Sequence, residues 1–468
     1  MNANIKKIIQ YSLASLINAI ISFGSTMILT RLLSKSGFGM INFYVSASNV
    51  VMGIICLGLD SAYIRFFYHP PQNNDHRQLA AHCLMVPNVL SVILIGLGFV
   101  KAISGPVASA LGFDSWRLIL LLLLNAYVLS ILRFLNINYR MQEKTLIFVV
   151  QSIIITFATK MGYVLIAIVD RKTVDILAAG TFLCAAVAMI FFIVQRKDFV
   201  SYKNYSNRYY GKVYKYALFD APLYNLIYLN AYIPQLLIKR GPGEEVLGIY
   251  GGLQVFVYAV QVISSGFATF WAPYVYKNYK EKNKEIMDVY EVVMFLSVIM
   301  LTMILLMGNI LFLFLGRNFR EEKNLLGMFL IAPIVNILLE TTSYGIALER
   351  KNYISLIFHF LSFGLNVVLG IILLPEYGLA GIAAASMVSA LIMLIGQSMA
   401  GQKYYRTIRS YFRFYTQIII SVGIALLYFF YYEEKMITVP ASLAAILLTL
   451  LLNKDMLAGI LRKRRDKC

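Results

Sequence analysis

The chain has 468 residues, 59% of them hydrophobic and 14% charged, with a formal net charge of +19. A soluble domain carries about 25% charged residues, so this composition excludes an ordinary water-soluble fold. The basic excess does not point to nucleic acid, because no RNA- or DNA-reading module occurs and the positive residues gather beside apolar runs, as in cytoplasmic loops of membrane proteins.

In chain order the apolar runs predict helices at 8–30, 40–63, 82–100, 116–138, 146–168 and 174–194. Each is long enough to cross about 30 Å of hydrocarbon. Lys6 and Lys7 before the first run resemble the start of a signal peptide, but no small-residue cleavage site follows, so it reads as a retained first span. The longest polar stretch comes next, at 196–215, a basic and aromatic connector expected to lie on anionic lipid. Six further spans follow at 216–238, 246–271, 289–314, 325–346, 353–374 and 379–400, then two more at 411–431 and 437–453. A membrane β-barrel is excluded, since its strands would be segments of about ten alternating residues.

The prediction is therefore an all-α polytopic membrane protein of about 14 transmembrane helices: an N-lobe at 1–195, the connector at 196–215, a C-lobe at 216–400, and two C-terminal helices with a basic tail at 401–468. Lys and Arg are more than twice as frequent in segments on the side shared by both termini, which places both ends in the cytoplasm. Cys56, Cys83, Cys184 and Cys468 fall in spans or in the tail and do not read as a disulfide framework. The halves echo each other: Gly39 in SGFGMINFY matches Gly248 in EEVLGIYGGL, and MQEK (141–144) matches LERK (348–351) at nearly the same separation. Such an echo suggests duplication of a six-helix unit, and parallel repeats place substrate near the membrane centre between the halves.

Ionisable groups inside spans are costly unless paired or hydrated, which makes each a functional candidate. The first half offers Asp60, Arg133 and Lys160, with Arg31 and Arg65 near span ends; the second offers Asp220, Glu340 and His359. Helical spacing groups Asn125, Arg133, Asn136 and Arg140 on one stripe of span four, Thr156, Thr159, Lys160 and Tyr163 on span five, and Asn225, Tyr228, Tyr232 and Gln235 on span seven. Each has a plainer reading. Arg31 and Arg65 suit headgroup snorkelling, Asp60, Asp220 and Glu340 suit structural partners for the cations, and His359 suits a buried hydrogen-bonded residue. Enzyme signatures are missing: no P-loop, HExxH or CxxC pair occurs, GPGEEVLG (241–248) lacks the strand a phosphate loop needs, and the sequon at Asn204 falls in the cytosolic connector. No loop exceeds about twenty residues, which leaves no separate catalytic domain.

Three segments carry a family resemblance: ILTRLLSKSGFGMINFYVSASNVVMGIICLGLDSAYIRFF (28–67), EEVLGIYGGLQ (244–254) with FWAPYVYK (270–277), and NVVLGIILLPEYGLAGIAAASMVSAL (366–391). They resemble the polysaccharide transporter (O-antigen flippase) family of the multidrug/oligosaccharidyl-lipid/polysaccharide exporter superfamily. The resemblance implies a MATE-like, V-shaped pair of six-helix lobes in the bacterial inner membrane, working by alternating access as a transporter and not an enzyme. Its cargo would be an undecaprenyl-pyrophosphate-linked oligosaccharide for lipopolysaccharide or capsule, with membrane lipids, a polysaccharide polymerase and chain-length proteins as partners. Lipid II or a cationic drug would be the cargo of relatives with the same fold, and a membrane glycosyltransferase or polymerase is the rival of another class. Arg31 falls where related lipid II flippases carry an arginine.

A pyrophosphate needs cations in a partly dehydrated cavity, for which Arg133 and Lys160, with Arg65 and Arg31, are the expected ligands; Asn125, Asn136 and Tyr228 would meet the sugars. Asp60, Asp220, Glu340 and His359 are expected to couple the return stroke to H⁺ or Na⁺. No metal site and no other cofactor is predicted.

Overall fold

The structure, a computed structural model, describes residues 3–68, 76–199 and 207–456, and they are helical with no strand among them. The middle of the connector, with Asn204, and the end of the tail, with Cys468, lie outside the described residues. Cys56, Cys83 and Cys184 are buried and free. Among the described residues, twelve helices are long and apolar enough to cross a membrane. The chain clusters into two compact units, Met1–Gly251 and Gly252–Cys468.

In the first unit the helices are α1 (Ala3–Leu32), α2 (Lys35–Cys56), α3 (Leu59–Phe66), α4 (His76–Gly98), α5 (Lys101–Ala110) and α6 (Trp116–Met141). There follow α7 (Thr145–Thr156), a π-helical turn (Phe157–Met161), α8 (Gly162–Val169), α9 (Thr173–Phe199), α10 (Asn207–Arg240) and the start of α11 (Glu244–Asn278). Every span expected in this half coincides with helix. Two are interrupted: the second breaks between α2 and α3, where Leu57 and Gly58 both take positive φ (47° and 73°), and the fifth passes through the π turn. Helix α5 was not expected; it occupies the loop after span three. α9 and α10 extend into the 196–215 stretch from either side. α10 is long enough to span but is not among the twelve apolar candidates, because Lys, Tyr, Asn and Asp dilute its hydropathy.

Local chemistry sets the helix ends. Ser34 caps α2 by accepting from the Gly37 N–H, and Ser115 caps α6 by accepting from that of Arg117. The core centres on α2 and α6, which pack on each other and on α10 and α9 respectively. Tyr44, fully buried, donates to the Leu121 carbonyl at 2.9 Å and lies 3.0 Å from the Thr181 hydroxyl, joining α2, α6 and α9. Gly39 and Gly248, the two glycines of the repeat echo, meet directly: a Cβ on Gly39 would lie 2.7 Å from the Gly248 nitrogen, and one on Gly248 would overlap the Lys35 carbonyl. Only glycine lets the two helix backbones approach this closely.

The second unit continues α11 and adds α12 (Asn283–Leu306), α13 (Gly308–Phe312), α14 (Leu326–Thr342), α15 (Tyr344–Leu348), α16 (Asn352–Tyr404), α17 (Tyr411–Tyr431) and α18 (Lys435–Leu452). α14 is its buried centre, against α12, α16 and α17. α16 holds two of the expected spans. The chain turns between them at Gly378 (φ 55°, ψ −134°), a conformation open essentially to glycine alone, and a Cβ on Gly381 would meet the Leu373 carbonyl at 2.5 Å. Glu291, 5% exposed, pairs with Arg409 at 3.2 Å and Arg413 at 3.7 Å and so ties the ends of α12 and α17 together.

Overpacking against backbone that cannot yield costs about 1–3 kcal/mol or more. Gly248→Val is therefore expected to lower the thermal midpoint of the detergent-purified protein sharply. Gly364→Ala, where a new Cβ meets nothing within 4 Å, leaves it unchanged or slightly raised. Equal midpoints for the two variants would contradict the close approach.

Candidate binding site in the first unit

Three predicted residues converge. Arg133, on α6, donates from Nε to Asp60 Oδ2 at 2.5 Å, and its Nη2 lies 2.5 Å from the same oxygen. Its Nη1 donates to the Tyr228 hydroxyl on α10 at 2.8 Å. The Arg133 side chain is 28% exposed and that of Asp60 only 6%. Asp60 reaches this position because the chain breaks at Leu57 and Gly58, so that it stands in the first turn of the new helix α3, where a carboxylate also complements unpaired N–H groups. Asp60 is thus the ion-pair partner of Arg133 in this structure.

The stripe on span four resolves into separate contacts. Asn125 is buried and donates to Ser48 on α2 at 2.9 Å. Asn136, one turn beyond Arg133, is half-buried, with its Oδ1 enclosed and without a hydrogen-bond partner. Arg140 is exposed. On α10, Asn225 donates to the Ala221 carbonyl at 2.9 Å and to that of Gly53 at 3.4 Å.

Lys160 sits in the π turn, half-buried, and neither donates a hydrogen bond nor forms an ion pair among the described residues. π turns recur at functional positions in helices. Around it Ala158 packs into an apolar cluster with Val128, Leu132, Cys184 and Ala188, while Thr159 donates back to the Ile155 carbonyl at 2.9 Å. The shared face expected for Thr156, Thr159, Lys160 and Tyr163 presumed regular helix, and the π turn intervenes within it.

Arg31 and Arg65 end α1 and α3 and are exposed, as side chains reaching for headgroups would be. Asp220 is half-buried on α10. Glu340 and His359 belong to the second unit. Glu340 accepts from the Tyr344 hydroxyl at 3.3 Å, and His359 is half-buried on α16.

Two groups went unread in the sequence. Asn138 links Tyr63 (2.9 Å), Gln195 (2.9 Å) and Asp198 (3.1 Å), and Gln195 continues to Gln151 (2.9 Å), so that α3, α6, α7 and α9 share one buried polar chain. Its signal was polar side chains clustered at the ends of two apolar spans, Asn138 with Gln142 and Gln195 with Asp198. Lys239, counted as a loop residue, is 8% exposed: it donates to the Gly112 carbonyl at 2.7 Å and lies 3.4 Å from both Asp114 and Glu244.

The architecture is a multi-pass helical bundle with a polar site inside one unit, and solved structures share that fold. A lipid II flippase, MurJ, in an inward closed conformation matches with a TM-score of 0.70 at 12% identity, over 96% of this chain and 100% of that one. An inward-facing multidrug resistance MATE family transporter of the MOP superfamily matches with a TM-score of 0.58 at 12% identity, over 84% and 97%. A MOP superfamily transporter from Pyrococcus furiosus matches with a TM-score of 0.56 at 13% identity, over 85% and 95%. The family model described as polysaccharide biosynthesis protein matches residues 5–279, and the chain belongs to that family. No curated protein matches the sequence.

Removing one member of a buried ion pair costs about 3–5 kcal/mol, because the other is left charged; the exposure of Arg133 puts this site at the lower end. Asp60→Ala is expected to lower the thermal midpoint by more than the double variant Asp60→Ala/Arg133→Leu does. A double variant less stable than Asp60→Ala alone would show that the pair is not the source.

Proposed function

We propose that the protein is a flippase that moves undecaprenyl-pyrophosphate-linked oligosaccharide repeat units from the inner to the outer leaflet of the bacterial cytoplasmic membrane by alternating access. Family membership supports polysaccharide biosynthesis as the setting, and the fold is shared with a lipid II flippase and a multidrug transporter. The observation that carries the cargo assignment is Lys160: a lysine within an apolar span, without a counter-ion among the described residues. An ammonium there is costly until an anion or water meets it, and a pyrophosphate brings at least two negative charges on a lipid already in the bilayer. Arg133 supplies the second cation, with a planar fork that matches phosphate oxygens. Asn136 and Tyr228, next to Arg133, offer amide and hydroxyl groups to the sugars. The bias of Lys and Arg supports cytoplasmic termini.

Lipid II is a second reading, favoured by the structural likeness to a lipid II flippase; it shares the pyrophosphate and differs in the head group. With Asp60 engaged by Arg133, coupling to H⁺ or Na⁺ falls to Asp220, Glu340 and His359.

In proteoliposomes, transport of a fluorescent undecaprenyl-pyrophosphate saccharide is expected to fall at least about tenfold in Lys160→Ala, with partial rescue by Lys160→Arg, which keeps the charge. Full transport by Lys160→Ala would remove the assignment. An imposed proton or sodium gradient is expected to accelerate uptake by the wild-type protein, and a rate indifferent to both would eliminate coupling.

A further inference from the structure

The edge of Arg133 that suits a phosphate is already occupied. A guanidinium grips a tetrahedral anion best through two neighbouring N–H groups directed the same way. In this structure that edge, Nε with Nη2, is spent on a single oxygen of Asp60, both atoms at 2.5 Å. The other side, through Nη1, is held by the Tyr228 hydroxyl at 2.8 Å. An anion that takes the Nε–Nη2 edge must therefore first replace the carboxylate.

We propose that Asp60 is an internal stand-in for the pyrophosphate: Arg133 exchanges the carboxylate for phosphate oxygens when the cargo arrives, and this exchange breaks the charged tie between α3 and α6 and leaves the Tyr63–Asn138 hydrogen bond as the tie that remains. The inference rests on the reading that the cargo carries a pyrophosphate. Asp60 is then a positioning residue that sets the affinity by competition and does not touch the bound cargo. The energetics allow the exchange. Asp60 offers one negative charge and the pyrophosphate at least two, and the 28% exposure of Arg133 leaves a side from which the incoming anion can approach. The geometry gives the exchange somewhere to go. α3 has eight residues and hangs from the break at Leu57 and Gly58, where both residues take positive φ. Its contact with Arg133, which also holds Tyr228 on α10, is therefore a tie between three elements at a ready pivot. Meanwhile the paired state spares the empty site a bare guanidinium, and it screens out weakly charged anions that cannot outcompete a carboxylate.

The competition makes an unusual demand: removing a charged residue of the site must improve binding. Asp60→Asn keeps the shape of the side chain and is expected to bind inorganic pyrophosphate about tenfold more tightly than the wild type, measured calorimetrically on the full-length protein in detergent. Arg133→Gln is expected to abolish binding in either background. A pair that only holds the fold together would give equal or weaker binding in Asp60→Asn, and that result, or binding by neither protein, overturns the exchange. Should Asp60→Asn fail to fold, the wild type decides through hydrogen exchange. Inorganic pyrophosphate is expected to speed exchange across Leu59–Phe66 relative to chloride at equal ionic strength, and unchanged exchange at saturating pyrophosphate overturns the proposal. Tighter binding by Asp60→Asn without transport of any lipid-linked saccharide would keep the exchange and discard the cargo. Transport together with weaker binding would do the reverse.

Discussion

A guanidinium within an apolar span must bring its counter-charge with it, and the first unit is arranged around that requirement. Arg133 finds Asp60 only because α2 ends at Cys56 and the chain restarts as α3 two residues later. A straight helix through Leu57 and Gly58 would turn Asp60 to another direction. The same α6 crosses to the second span at three levels: Asn125 to Ser48, Arg133 to Asp60, and Asn138 to Tyr63. Between membrane helices close packing and hydrogen bonds both favour one register, and each hydrogen bond pins it at a stated pair. These three contacts hold α6 against a broken partner without letting it slide.

The second unit meets the same solvent with different means. Its inter-helix polar contacts are mostly neutral: Asn336 donates to Gln261 at 2.9 Å, Thr342 and Ser398 share a hydroxyl contact at 2.7 Å, and Gln402 reaches the Thr342 carbonyl at 2.9 Å. Its charge cluster, Glu291 with Arg409 and Arg413, gathers where α12 starts and α17 starts, at helix ends where water and headgroups help. Among the described residues, the cations set well away from span ends, Arg133 and Lys160, belong to the first unit. Under the proposed function that division suits an anionic head group better than a cationic drug.

Much of this could be read from sequence, because bilayer physics is simple. Long apolar runs give spans, so all the expected ones coincide with helix, and the glycine echo proved to be a contact between Gly39 and Gly248 themselves. What stayed hidden depended on local backbone. Leu57 in a left-handed conformation has no residue signature, so the break that delivers Asp60 was invisible. A π turn leaves hydropathy untouched and was missed at Lys160. Lys239 resembles any loop lysine until the Gly112 carbonyl and the faces of Phe43 and Phe113 are seen to enclose it. Partner choice was the other obscure point. From spacing alone Arg133 and Asp60 read as one ligand and one coupling group, and their distance makes them one unit.

Two cations in one unit face the same desolvation penalty and answer it differently. Arg133 is planar, forked and matched in advance to a carboxylate, so its charge is neutralised at rest and must be won by a stronger anion. Lys160 carries a compact charge on a flexible stem, in a turn whose hydrogen bonding is already irregular, and has no anionic partner among the described residues. Under the proposed function the first arrangement would confer selectivity and the second attraction. An uncompensated ammonium draws an anionic head group toward the unit whatever its shape, since a point charge imposes little geometry. A guarded guanidinium then admits only an anion able to satisfy two parallel N–H groups better than Asp60 does. If the protein works as proposed, a lone lysine and a paired arginine would separate capture from commitment, which a flippase needs in order to hold its cargo and still let go.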